Sequence, residues 1–340
     1  MKHRRILGRL HSWWLGPKPS WWPWLKRLLA LFLVGGSVYY IWRRLAVDVG
    51  RLDWQSLELC WGSLGISLGL TTLCVALGGW VWKLVLASLG HPLGWRESFF
   101  IHTAANLTKY LPGYGWQLLG KAYLTQRRGI PARVAAMGIA LEFSSLLLTA
   151  FLVGGGIAPP NVRWPLLGEL SLWGRLALLS SALLALILIP IGIHRWGEGQ
   201  RRPLRDIVVP FWGAVLLMAF AWVLLGLAFG CLLRALGPLP KYGWSVAVYA
   251  LSLSFIISLL VLFVPGGIGV REGMLVYLLG GYFPTRLAVI GAILSRVLLV
   301  LAEALAFGLA WGCNVRSGAY KKLIAQKGEG SEGGGEGVLE

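Results

Sequence analysis

Three ionisable residues stand inside stretches that are otherwise apolar: Glu142, Arg296 and Glu303. A charge near the middle of a membrane span costs about 2.5–3.5 kcal/mol on insertion scales, so each is expected to face a cavity or a partner rather than lipid. Arg296 and Glu303 are seven residues apart on one predicted helix, on the same face but two turns apart, too far to pair directly. A second set of polar residues surrounds two proline-glycine breaks, Leu111-Pro112-Gly113-Tyr114-Gly115 and Val264-Pro265-Gly266-Gly267-Ile268-Gly269. Asn106, Lys109, Tyr110, Gln117, Lys121, Arg127 and Arg128 form a basic, hydrogen-bonding collar about the first break, and Arg271 and Glu272 follow the second. A helix that restarts just after a glycine turn offers free N–H groups and the positive end of its dipole, an arrangement suited to phosphate. The chemistry expected is recognition of an anionic lipid headgroup. The plainer alternative is that the mid-span charges brace helices together, and that Arg127, Arg128 and Arg133 hold loops at the inner leaflet.

The elements that must position these residues are membrane helices. Of the 340 residues 56% are hydrophobic and 14% charged, and the mean hydropathy is +0.67, far more apolar surface than a soluble fold of this size would bury. Apolar runs long enough to cross a bilayer lie near 28–46, 61–89, 132–156, 173–193, 207–235, 242–264 and 285–313, and shorter segments near 97–111 and 270–282 flank the two breaks. The expected fold is therefore all-α and polytopic, with about seven full spans and two broken or re-entrant helical hairpins. Three parts follow: a basic, tryptophan-rich interfacial segment over 1–27, a transmembrane domain over 28–315, and a tail over 316–340 that is expected to be disordered after 327.

A net charge of +18 is compatible with nucleic-acid binding, but the Lys and Arg residues cluster in the short connections, which reads as topology. Residues 1–27 carry seven Lys and Arg residues and no acid, and further basic loops sit at 109–133, 195–205 and 316–327. The positive-inside rule places all of these, and so both termini, on the cytoplasmic side of an inner membrane, with the 157–169 connection outside. The cysteines show no CxxC spacing and the histidines no i, i+4 pair, so neither a metal nor a cofactor is expected. Neither break carries a third glycine or a P-loop lysine, so a nucleotide site is not expected and any active transport would draw on an ion gradient or a partner.

Pairing the breaks by sequence sets Glu142, 30 residues after Pro112, against Arg296, 31 after Pro265, with one residue inserted in the second break. The halves 61–156 and 207–313 could thus be inverted repeats, with Glu142 and Arg296 facing one another across a pseudo-two-fold axis. Parallel repeats, and chance matching of two apolar helices that each carry a charge, are the competing explanations.

Asn106-Leu107-Thr108-Lys109-Tyr110-Leu111-Pro112-Gly113, then Trp116, Gly120 and Glu142, with Pro265-Gly266-Gly267-Ile268-Gly269-Val270-Arg271-Glu272-Gly273, Ser295-Arg296 and Glu303, resemble the lysylphosphatidylglycerol synthase transmembrane-region family, also called flippase-like. The resemblance spans roughly 28–315, and the second motif is the more specific. It implies a membrane domain that moves a phospholipid between leaflets. In the founding enzymes that domain is fused to a soluble aminoacyltransferase, which has no counterpart in this sequence, so the synthase activity is not carried over. Stand-alone members are often associated with lipid-linked sugar pathways. The resemblance thus implies lipid handling, with an anionic phospholipid or a polyprenyl-phosphate glycolipid as ligand and a synthase or glycosyltransferase as partner. Two other functions stay open: a polytopic glycosyltransferase using Asp48 or Asp53 on the first external loop, and an accessory scaffold.

Overall fold

The computed structural model describes residues 59–110, 115–159, 162–164, 168–169, 171–196, 203–260 and 269–316. The 28–46 span, the tryptophan clusters before it, Asp48, Asp53, the tail beyond 316, and Pro112, Gly113, Pro265, Gly266 and Gly267 lie outside these residues. The described chain runs α1 (Trp61–Ser88), α2 (Trp95–Thr108), α3 (Trp116–Gln126), α4 (Ala132–Ile157), a two-residue ladder of β1 (Arg163–Trp164) with β2 (Gly168–Glu169), α5 (Leu172–Trp196), α6 (Leu204–Leu236), α7 (Gly243–Leu260), α8 (Val270–Leu279) and α9 (Thr285–Arg316). The architecture is that of an all-helical polytopic membrane protein, and five of these helices, α1, α4, α5, α6 and α9, are long and apolar enough to cross a bilayer. Part of the expected basic loop over 109–133 is helical instead, as α3 runs from Trp116 to Gln126.

α1 and α6 form the longest seam and run antiparallel. Cys60 N–H bonds the Ala235 carbonyl at 3.1 Å, Ser67 Oγ that of Ala228 at 2.7 Å, and Cys74 Sγ that of Ala221 at 3.5 Å. The contacts step by seven residues in opposite directions along the two helices, the repeat of nearly aligned axes with small residues at the seam. Helices α1–α2–α3–α4 and α6–α7–α8–α9 share one order, long, shorter, short, long, with a break before the third member of each set. In both sets each helix packs on the next and the first packs on the fourth.

Close approach of backbones sets this packing. A Cβ at Gly226 of α6 would lie 2.6 Å from the Val248 Cα of α7 and 2.5 Å from its Cγ2, so α7 would have to move away. Gly226→Ala is expected to cost about 1–3 kcal/mol, read as a lowered thermal midpoint of the detergent-purified protein. A substitution at Gly156, where an added methyl meets open space, provides the comparison.

Arg175 of α5 closes the end of α4. Its guanidinium donates to the carbonyls of Gly155, at 2.5 Å, and Ala158, at 2.7 Å, and lies 6.0 Å from the Trp164 ring. Helix-terminal carbonyls with no partner of their own are thus satisfied by a cation, the charge that the helix C-terminus favours.

Candidate functional site

The two breaks end in the same way. Gly115, with φ 101°, caps α3 and Gly269, with φ 86°, caps α8, and side chains other than glycine rarely adopt this left-handed backbone. Each break therefore delivers a short returning helix whose first residues face polar partners, and two polar clusters result.

The first cluster lies among α2, α3 and α4. Lys121, 4% exposed, pairs with Glu142, 6% exposed, and Lys121 Nζ stands 3.3 Å from His102 Nδ1 and 4.2 Å from the centre of the buried Trp82 ring. His102 Nδ1 lies 3.7 Å from Glu142 Oε1. On its other side, Asn106 Nδ2 lies 3.2 Å from His102 Nε2, and Gln117 Nε2 donates to Asn106 Oδ1 at 2.8 Å. The outcome is a continuous chain of side-chain contacts from Gln117 to Glu142 within helical, largely buried surroundings. A buried ion pair of this kind survives because further hydrogen bonds satisfy it.

The second cluster gathers around α9. Glu303, 2% exposed, accepts from Lys109 and, at 2.7 Å, from the Tyr110 hydroxyl, which ties the end of α2 to α9. Two turns away, Arg296 Nη1 donates to Glu272 Oε1 at 2.7 Å, while Glu272 Oε2 accepts the Gly269 N–H at 2.7 Å, which ties the start of α8 to the same helix. Arg271 is within electrostatic reach of Glu272, Arg296, Tyr110 and Glu303, and Lys109 within reach of both arginines, so these groups share one field. Three cations face two carboxylates. Among the described residues Arg271 is the cation outside these hydrogen bonds: its Nε is buried and has no hydrogen-bond partner there.

Arg271 and Ser295 line a cavity of about 20 Å³, room for a single water, with Ser67 and Thr71 of α1 and apolar residues of α6, α7 and α9 around them. The hydroxyls of Ser67, Thr71 and Ser295 donate to the Ala228, Ser67 and Ala292 carbonyls, each at 2.7–2.8 Å. Their lone pairs remain, and a hydroxyl proton turned from its carbonyl can serve an anion instead.

Two expectations need correction. Glu142 and Arg296 share no ion pair among the described residues: Glu142 is held by Lys121 and Arg296 by Glu272, because a short helix in each half supplies a nearer opposite charge. The N-terminus of α8 is not fully open to a phosphate either, because Glu272 bonds back to the capping N–H as an acid three residues into a helix readily does. Of the expected residues, Asn106, Lys121 and Glu142 meet in the first cluster, and Lys109, Tyr110, Gly269, Arg271, Glu272, Ser295, Arg296 and Glu303 in the second. Trp116 is 47% exposed at the start of α3, and Gly115 serves as its cap. Away from both clusters, Arg128 bonds Glu97 at 2.5 Å and Arg127 the Tyr123 hydroxyl at 2.7 Å.

His102 was not expected in the site. The available signal was its spacing, since His102, Asn106 and Lys109 fall at i, i+4 and i+7 and so share one face of α2. That face joins the two clusters.

No curated protein matches the chain. The model of the lysylphosphatidylglycerol synthase TM region matches residues 27–306, a stretch that contains both breaks and every ionisable residue of the two clusters. With that match covering most of its length, and with helices of the required length and apolarity, the chain belongs to the lysylphosphatidylglycerol synthase TM region family of integral membrane proteins.

Proposed function

We propose that this protein binds a membrane lipid through an anionic headgroup and moves it between leaflets, with the headgroup contacting Arg271 and the lipid tails remaining in the bilayer. The observation that carries this reading is the surplus cation. A guanidinium nitrogen buried without a hydrogen bond, in a cluster where cations outnumber carboxylates three to two, is costly until an anion reaches it. Lys109 and Arg296 flank that position and already hold carboxylates, so they add field without being free to leave. Ser295, Ser67 and Thr71 supply hydroxyls suited to phosphate oxygens. The shared helix order of α1–α4 and α6–α9 supports a repeat with its ligand site between broken helices, as transporters of this kind use. The basic bias of the loops supports an inner membrane with cytoplasmic termini, and a synthase or glycosyltransferase of lipid-linked products is the partner class this role requires.

Arg271→Met is the test. An arginine that braced the fold would lower stability when removed, whereas one held unpaired for a ligand should leave the thermal midpoint equal or higher. The expected result is an unchanged or raised midpoint, with phosphatidylglycerol retention by the detergent-purified protein, read by mass spectrometry, down at least about tenfold, the equivalent of ~1.4 kcal/mol. Transfer of a labelled anionic lipid across proteoliposomes should fall with it. Normal retention in Arg271→Met would overturn the assignment.

A further inference from the structure

Two carboxylates stand among the three cations of the second cluster, where a site that served only to attract anions would do better without them. We infer that Glu272 and Glu303 set the charge of the ligand: by cancelling Arg296 and Lys109 they leave one positive charge at the Arg271 site, which selects a lipid phosphodiester, singly negative, over a phosphomonoester or a diphosphate, which carry two negative charges or more. The inference rests on the anion-binding role assigned to Arg271 and names the ligand class for that site.

The charge count follows from contacts and from sequence. Lys109 pairs with Glu303, Arg296 pairs with Glu272 at 2.7 Å, and Arg271 stands within the field of both pairs. The breaks add nothing to the sum, because 111–114 and 261–268 contain no Lys, Arg, Asp or Glu. Among the described residues, the other elements around the cavity bring no charge to it either. α7 has none; Lys83, the single lysine of α1, lies over Trp80, twelve residues beyond Thr71. Arg205 and Asp206 stand at the far end of α6, Arg234 is exposed, and Arg286 lies nearly three turns before Arg296 on α9. The first cluster, beside His102, contributes the balanced pair of Lys121 and Glu142.

The cavity agrees with that count. Its volume of about 20 Å³ admits one oxygen-sized group beside Arg271. The remaining walls are the side chains of Leu225, Phe229, Leu232, Leu251, Leu298 and Leu299, which offer nothing to a second negative charge. A phosphodiester shares its single charge between two unesterified oxygens. One of them, entering the cavity, meets the Arg271 guanidinium and the hydroxyls of Ser67, Thr71 and Ser295. A phosphomonoester dianion brings one charge more, and the cations that could meet it already hold carboxylates.

Glu272 follows Arg271 directly in the chain, so its charge acts on an anion at Arg271 across a distance on the order of 10 Å. At an effective dielectric constant of ~20, a unit charge at that distance changes the affinity of a monoanion about tenfold. It acts twice on a dianion. The ratio of the two affinities therefore moves about tenfold for each unit charge added to the site or taken from it.

The experiment measures the binding of phosphatidylglycerol and of phosphatidic acid with the same acyl chains to the full-length detergent-purified protein at pH 5 and pH 8. A phosphomonoester loses its second proton at about pH 6, so phosphatidic acid passes from monoanion to dianion over this range while phosphatidylglycerol keeps a single charge. The wild type should bind the two comparably at pH 5 and prefer phosphatidylglycerol about tenfold at pH 8. Glu272→Gln, whose amide oxygen can still accept the Gly269 N–H, should bring the two lipids back to parity at pH 8. Glu303→Gln, which keeps an acceptor for Lys109 and Tyr110, should do the same and serves where the first variant does not fold. Equal wild-type affinity for both lipids at pH 8, with binding lost in Arg271→Met, overturns the charge selection and leaves the anion site standing. A preference for phosphatidylglycerol that is as large at pH 5 as at pH 8 overturns it as well, because headgroup shape and not charge is then being read. The same holds for a ratio at pH 8 that neither glutamine variant changes. No phosphatidylglycerol binding by the wild type at either pH overturns the anion site and this inference together.

Discussion

Glu142→Ala should lower stability by about 3–5 kcal/mol, and Lys121→Met in the same chain should recover most of that loss. Lys121 is 4% exposed, and its ammonium is enclosed by Glu142, His102 and the Trp82 ring. Removing the carboxylate leaves a buried cation whose remaining contacts among the described residues are one imidazole nitrogen and an aromatic face. Neither replaces a charge-assisted hydrogen bond. Removing the ammonium as well eliminates the unpaired charge, and methionine fills much of the lysine stem's volume. The measurement is a double-mutant cycle on thermal or denaturant unfolding in detergent, in which the coupling energy isolates the pair. A single-variant loss below about 1 kcal/mol would show that water reaches Lys121 and that the pair is not sequestered.

The helices were legible in the sequence because the bilayer imposes length and the loops carry the charge. The starts of α1 and α4 fall where the apolar runs begin, at Trp61 and Ala132. α3 was not anticipated, because Trp116–Gln126 is mixed in polarity and no apolar run announces it. Pro210 sits inside α6 without ending it: six residues precede it, so it lies beyond the first turn, and the helix continues without the bond that an N–H there would give to the Asp206 carbonyl. The site was legible in its membership more than in its pairing. Counting from the breaks matched Glu142 with Arg296, but residue offsets fix height along a helix and not which neighbour stands nearest. Lys121 and Glu272 lie on short helices that bring them closer. Arg271 and Glu272 are adjacent in sequence, and only the folded backbone shows that Glu272 is bound by Arg296 and the Gly269 N–H while the Arg271 Nε has no hydrogen-bond partner among the described residues. His102 escaped notice because a lone histidine in an apolar run carries no metal spacing; its partners come from three helices.

Glu303→Ala should free the end of α2 without loosening the start of α8. Glu303 is 2% exposed and accepts from both Lys109 and Tyr110, the last described residues before the first break. Loss of this acceptor leaves a lysine and a phenol at a helix end with nothing to hold them to α9, a cost of about 3 kcal/mol for a buried pair broken on one side. Local opening of that end should then be on the order of a hundredfold more frequent, read as faster hydrogen exchange at the amides of Thr103–Tyr110. Glu272→Ala should do the converse, speeding exchange in α8 by releasing Arg296 and the Gly269 N–H while sparing α2. The two ties sit seven residues apart on α9, one made by an acid and one by a base, so each break is anchored to the same helix by a contact that can be cut alone. Exchange that rises in both α2 and α8 for either variant would mean that α9 itself shifts when one tie is lost. In that case the end of α2 and the start of α8 move as a unit, and binding at Arg271 would reach both.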